Sequence, residues 1–138
     1  MLARALGALT LIITLTTGGA SAQNAAGGQE PVSRGRPLSE WIADLKAPAP
    51  ATRNAAAYEI ASLGPAAKPA VPALIEALDE PSTTVRFPVT VALGEIGPGA
   101  AAAVPRLKQM MFEEINDEIA AAARRAIRHI QPSALAGQ

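Results

Sequence analysis

Apolar residues recur at helical spacing in six short runs, and the runs alternate between two kinds. The first kind is Leu38–Leu45, with Leu38, Trp41, Ile42 and Leu45 on one face. The second is Ala51–Leu63, whose stripe is Ala56, Ala57, Ile60 and Leu63. Val71–Leu78 repeats the first kind through Val71, Leu74, Ile75 and Leu78. Thr84–Ile96 repeats the second through Val89, Thr90, Leu93 and Ile96. Val104–Glu113 and Asp117–Ile130 complete the series, the last with Ile119, Ala123, Ile127 and Ile130 in line. The spacing predicts helices throughout, and the punctuation agrees. Gly64-Pro65 and Gly97-Pro98 stop the longer runs, while Pro72 and Pro105 sit in first turns, where a missing N–H costs nothing. Ser39 is placed to cap its helix, and Pro88 falls where it should shorten or bend one.

The runs are copies. Arg53–Leu78 and Arg86–Met111 match at a shift of 33 residues, identically at Arg53/Arg86, at the Gly-Pro and Val-Pro pairs, and at Leu74/Leu107. Against the middle copy the last helix needs a shift of 34, which brings Ile127, Ile130 and Pro132 onto Leu93, Ile96 and Pro98. Leu38–Leu45 is then the second half of a repeat whose first half is missing. The chain reads as two full repeats with a half at each side, near the lower limit for a stable stack. In such a stack each unit shares its core with its neighbours.

Three segments lie outside the repeats. Met1–Ala22 carries one charge, Arg4, then an apolar run of about 12 residues and an Ala20-Ser21-Ala22 end, the pattern of a secretory signal peptide; a bilayer span needs roughly 20 apolar residues. Residues 23–37 read as a flexible linker, 38–132 as the repeat domain and 133–138 as a flexible tail. The expected location is therefore periplasmic or secreted, with no membrane span once the signal is removed.

Composition narrows the chemistry. Without Arg4, 11 basic residues face 12 acidic ones, so no basic excess is present to hold nucleic acid. Cysteine is absent, so packing alone must stabilise the fold. The single histidine, His129, lies off the apolar line of its helix and suits an exposed helix end. One histidine does not make a transition-metal site, and no G-x-S-x-G nucleophile motif occurs. Glu113-Glu114 with Asp117-Glu118 lacks calcium-loop spacing and reads as acids at a helix start. Arg124, Arg125 and Arg128 complement the other end of that helix. No catalytic residue, metal site or cofactor is expected.

Val85-Arg86 opening a helix, Ala92-Leu93-Gly94-Glu95-Ile96-Gly97-Pro98 closing it and Val104-Pro105-x-Leu107 opening the next resemble the short HEAT-like repeats found in phycobilisome bilin lyases. Thr52-Arg53, Ile60–Pro65 and Val71–Leu74 echo the same pattern, so the resemblance covers about Leu38–Pro132. The ankyrin and tetratricopeptide signatures are absent. The resemblance implies an all-α, right-handed solenoid of helical hairpins. It also implies a structural pair between an aspartate ending one second helix and the arginine opening the next first helix, here Asp79 and Arg86. Arg53 would lack that partner, because Lys46 stands in the aspartate's place.

In a solenoid the second helices line one long concave face. Glu40, Ala73 and Arg106 form one ladder across it, Ala43, Glu76 and Gln109 the next, and Asp44, Ala77 and Met110 a third. Glu40, Asp44, Glu76, Arg106, Gln109 and Met110 are the expected partner-binding residues. Tyr58, Phe87 and Val91, outside the first-helix stripe, form a second candidate contact. The function expected is a non-catalytic scaffold that binds another, unidentified protein, with self-association through the repeat ends also open. The alternative is a lyase-like accessory or chaperone protein that presents a small molecule or cofactor, which needs a sizeable apolar pocket.

Overall fold

The computed structural model describes residues 28–137. The signal-peptide expectation and the first part of the linker lie outside them. The elements run β1 (Val32–Ser33), β2 (Arg36–Pro37), α1 (Leu38–Asp44), α2 (Pro50–Leu63), α3 (Val71–Ala77), α4 (Thr83–Ile96), α5 (Val104–Glu113) and α6 (Asp117–Ile130). Two 3-10 connectors, Gly64–Ala70 and Gly97–Ala103, join α2 to α3 and α4 to α5, and a short 3-10 turn, Pro132–Leu135, follows α6.

Each connector opens on its Gly-Pro pair because the backbone reverses there. Gly64 has φ 57° with ψ −136° and Gly97 has φ 74° with ψ −142°, a region closed to residues with a Cβ. Pro65 and Pro98 then start the 3-10 turn without needing an N–H partner.

The long helices α2, α4 and α6 stack side by side in close contact, and each short helix packs on the long helix that follows it: α1 on α2, α3 on α4, α5 on α6. The packing unit is therefore the pair α1/α2, α3/α4 or α5/α6. Among the described residues the six helices form three such pairs, a different phase from the expected two full repeats flanked by halves. The connectors splay α2 from α3 and α4 from α5, so the period is right but its phase is set by which helices touch.

Small side chains permit the close stack. Ala56, Ala57, Ala92, Ala123 and Ala126 are buried beside Ile60, Leu93, Ile119 and Ile127. A Cβ built on Gly94 of α4 would sit 3.0 Å from the Cα of Ala126 in α6. Among the short helices, Leu38, Trp41, Leu74 and Leu107 complete one continuous core. This packing accounts for the apolarity of the Thr83–Glu113 stretch, which is long and apolar enough by composition to cross a membrane yet is mostly buried inside the protein and doubled back at its connector.

Pro88 neither shortens nor breaks α4, which runs unbroken from Thr83 to Ile96. Proline leaves the carbonyl four residues back without its helical donor, and the amide of Asn54 in α2 donates to that carbonyl, on Thr84. A helix irregularity thus becomes a contact between neighbours.

Both ends of the repeat stack are more ordered than the sequence suggests. The second part of the expected linker forms an antiparallel hairpin pairing Val32 with Pro37 and Ser33 with Arg36. Its turn residues, Arg34 and Gly35, both have positive φ, as a tight two-residue turn requires. The Ser33 hydroxyl donates to Glu59 at 2.6 Å and Arg34 pairs with Glu59 at 2.6 Å, so the hairpin covers the side of α2 that a preceding long helix would occupy. Glu30, rather than Ser39, serves the start of α1: its carboxylate accepts from the Ser39 N–H, with the Ser39 hydroxyl 3.1 Å away. At the other end Ala134 and Leu135, in the expected flexible tail, pack against the core.

Replacing Gly94 with alanine should lower Tm. The helix-propensity gain of about 1 kcal/mol is outweighed by overpacking of about 1–3 kcal/mol against the α6 backbone, and the larger Gly94→Leu should be worse. Thermal denaturation followed by circular dichroism measures both.

Candidate functional site

Arg53 and Arg86, one period apart, do the same thing. Each opens a long helix and folds its guanidinium back over the preceding turn. Arg53 Nη1 donates to the carbonyls of Ala47 and Pro48 at 2.8 and 2.9 Å; Arg86 Nη1 donates to those of Glu80 and Pro81 at the same distances. These carbonyls follow a helix C-terminus, where acceptors lack intrahelical partners and the helix dipole favours a cation. Each arginine then reaches forward to a carboxylate. Arg53 Nη2 meets Glu80 at 2.6 Å, while Arg86 holds both oxygens of Glu114 at 3.0 and 3.1 Å.

The expected Asp79–Arg86 pair does not form. Asp79 is 72% exposed and pairs with Arg106 at 2.9 Å. One residue further along the turn, Glu80 faces the long helices, so the acid for each arginine comes from the turn after it. For the same reason Arg53 is not left without a carboxylate. Spacing decides the grip. Glu114 lies 28 residues beyond Arg86 and is held bidentately, whereas Glu80 lies 27 beyond Arg53, takes one nitrogen, and leaves the buried Arg53 Nε without an acceptor. Both pairs are largely shielded, at 13–16% side-chain exposure.

The face of the short helices carries five of the six expected partner residues, each already engaged within the protein. Arg36 lies 4.0 Å from the centre of the Trp41 ring and pairs with Glu40 at 2.8 Å and Asp44 at 2.9 Å. Lys46 pairs with Glu76 at 3.0 Å. Arg106 contacts Gln109 at 3.3 Å as well as Asp79. Met110 does not belong to this face: at 2% exposure it is core. Ala77, its counterpart, is the last residue of α3, whereas α5 continues to Glu113, so position 110 still lies on the surface packed against α6.

Between α1 and α3 a cleft of about 320 Å³ opens. Leu45, Ala73 and Ala77 line it, the Lys46–Glu76 pair spans its lip, and Arg53 and Glu80 lie deeper. The short helices are not in close contact with one another, unlike the long ones. The alanines leave that space unfilled.

A family profile described as HEAT repeats matches residues 38–128, well over half of the chain. This is a HEAT-repeat protein. A search of curated proteins finds no match. HEAT repeats commonly mediate protein–protein contact, and the described helices stack as such repeats do.

The remaining candidates in these HEAT repeats are accounted for by packing. His129 is exposed, in a notch of about 40 Å³ with Val91, Gly94, Glu95 and Arg125. The acidic group at the start of α6 is divided: Glu114 belongs to Arg86, and the Asn116 side chain caps the helix by accepting from the Glu118 and Ile119 amides at 3.0 and 3.1 Å. Among the described residues no group of three or more His, Cys, Asp or Glu side chains converges as a metal site would require. Tyr58 is exposed, but Phe87 and Val91 are half-buried, and Phe87 packs on the core. Among the described residues Phe112 and Ile115 are the most exposed large apolar ones, at 71% and 97%. Sequence reasoning missed Glu80, Glu114 and Lys46; the 33- and 34-residue shifts that align the copies carried the signal for the first two.

Burial pushes the Glu114 carboxyl up, but the Arg86 hydrogen bonds and charge and the amides of Asn116 and Ile115 outweigh it, holding it below its ordinary 4.5. A carboxylate depressed in the folded state stabilises the fold above its unfolded value, and the contribution fades as pH falls from about 4.5 through the lower folded value. Stability should therefore drop across that acid window, and Glu114→Gln should flatten this part of the profile. Arg86→Ala should cost about 1.5–3 kcal/mol at neutral pH, the range for hydrogen bonds to charged groups. Urea denaturation at several pH values reads both effects.

Proposed function

We propose that this chain is an exported, non-catalytic docking module that holds another protein on the face of its short helices. The cleft between α1 and α3 carries the reading. Its apolar wall is Leu45, Ala47, Ala73 and Ala77, its charged rim is Lys46 and Glu76, and Arg53 and Glu80 complete the lining. A side chain from an extended or helical segment fits the Ala73–Ala77 wall. The exposed Lys46–Glu76 pair at the lip is free to exchange partners at little cost, since exposed ion pairs contribute about 0–1 kcal/mol. Backbone on both sides of the cleft is held by the arginine clamps, so docking orders little that is not already ordered. Export rests on the Met1–Ala22 pattern, and processing would leave Gln23 as the first residue.

The test is a photo-crosslinking amino acid placed at Ala73 on the cleft wall and, as control, at Ala55 on α2, in cells producing the full chain. A polypeptide crosslinked from position 73 in the exported fraction and absent from position 55 supports the reading. Ala77→Trp, which fills the cleft, should abolish that crosslink while leaving the circular dichroism spectrum unchanged. Equal crosslinks from both positions, or retention in the cytoplasm with residue 1 intact, would refute it.

A further inference from the structure

Every described arginine outside α6 is paired with a carboxylate: Arg34 with Glu59, Arg36 with Glu40 and Asp44, Arg53 with Glu80, Arg86 with Glu114, Arg106 with Asp79. Among the described residues Arg124, Arg125 and Arg128 have no carboxylate partner, and all three are exposed. Glu95 shares a notch with Arg125 and His129 but pairs with neither. The last two turns of α6 are therefore a concentrated positive patch, whereas the other described arginines are neutralised internally.

The repeat register says what this patch replaces. At the 34-residue shift Arg124, Arg125 and Arg128 fall on Thr90, Val91 and Gly94 of α4, and one period earlier on Ala57, Tyr58 and Ala61 of α2. At Gly94 α4 comes close to α6, with a Cβ there 3.0 Å from the Ala126 Cα. Gly94 thus marks the side by which α4 receives the next long helix, and Arg128 holds the matching position on α6. Solubility at a terminal repeat asks only for polarity, and the helix dipole reaches only the last turn. Neither asks for three cations of one sign, of which Arg124 stands two turns from the helix end. The apolar part of this end is covered by Ala134 and Leu135, while the guanidiniums are left open.

From this geometry we infer that the open side of α6 is a second docking surface, separate from the α1–α3 cleft, and that its occupant is an acidic helix of a partner protein. Such a helix lies where a further long helix would stack, with carboxylates at i and i+4 matching guanidiniums one turn apart. The length of the arginine side chains holds it further off than α4 stands from α6, so charge rather than close packing supplies the attraction. An anionic membrane is the weaker occupant, because the exposed neighbours on this face, Asp117 and Ala121, offer an acid and a methyl group but no bulky apolar group to insert.

The test uses the full chain and a fluorescein-labelled helical peptide of alanine and glutamate with glutamates at i, i+4 spacing, read by fluorescence anisotropy at low salt. Binding should weaken about tenfold in R124Q/R125Q/R128Q, as the loss of three exposed charge contacts implies. It should also weaken on raising salt to 0.5 M, and persist in R124K/R125K/R128K, whose charge is kept. Ala77→Trp should leave it unchanged, which separates this surface from the cleft. No peptide binding by the parent chain, equal binding by the triple glutamine variant, or binding only to phosphatidylglycerol vesicles would each overturn the inference.

Discussion

Everything in this stack depends on how closely three long helices approach one another. Alanine and glycine on their facing sides bring α4 and α6 so near that a Cβ at Gly94 would sit 3.0 Å from the Ala126 Cα. Small side chains remove little area from water individually, so cohesion arises from dense contact along the full helix length. Tight spacing in one layer leaves the other layer spread. The short helices share no such seam, and the gap between α1 and α3 follows from that inequality.

The arginine clamps fix the phase of the pattern. Each ties the turn behind it to the long helix it opens, which joins α1 to α2 and α3 to α4 as units. Each also reaches an acid in the next pair, which joins units to one another. Glu80 serves both purposes: its carboxylate holds Arg53 and its carbonyl holds Arg86. The ion pairs are shielded, so removing one member would leave the other charged and poorly solvated.

Much of this was legible in the sequence. The periodic runs place all six helices within a residue or so of their observed ends, and the Gly-Pro pairs mark the reversals because their dihedrals admit only glycine. What was hidden required knowing which helices touch. A repeat can be cut at any phase, and the sequence offers no reason to prefer α1/α2 over α2/α3. The same ignorance misassigned Asp79, since one position along a turn rotates a side chain by about 100° and decides whether it faces neighbour or water. Met110 was misplaced because α5 outlasts α3 by three residues. The hairpin at 32–37 was invisible for another reason: its order comes from contacts with Glu59 and Trp41, not from any local propensity.

The linked arrangement of Arg53, Glu80, Arg86 and Glu114 also bears on how the molecule comes apart. Linear repeat arrays often fray, shedding terminal units one at a time because each meets only its neighbours. Here an end pair cannot peel away without stranding half of a shielded ion pair on the unit left behind. Partial unfolding is thereby penalised at both internal boundaries, and an array this short is coupled into a single cooperative block.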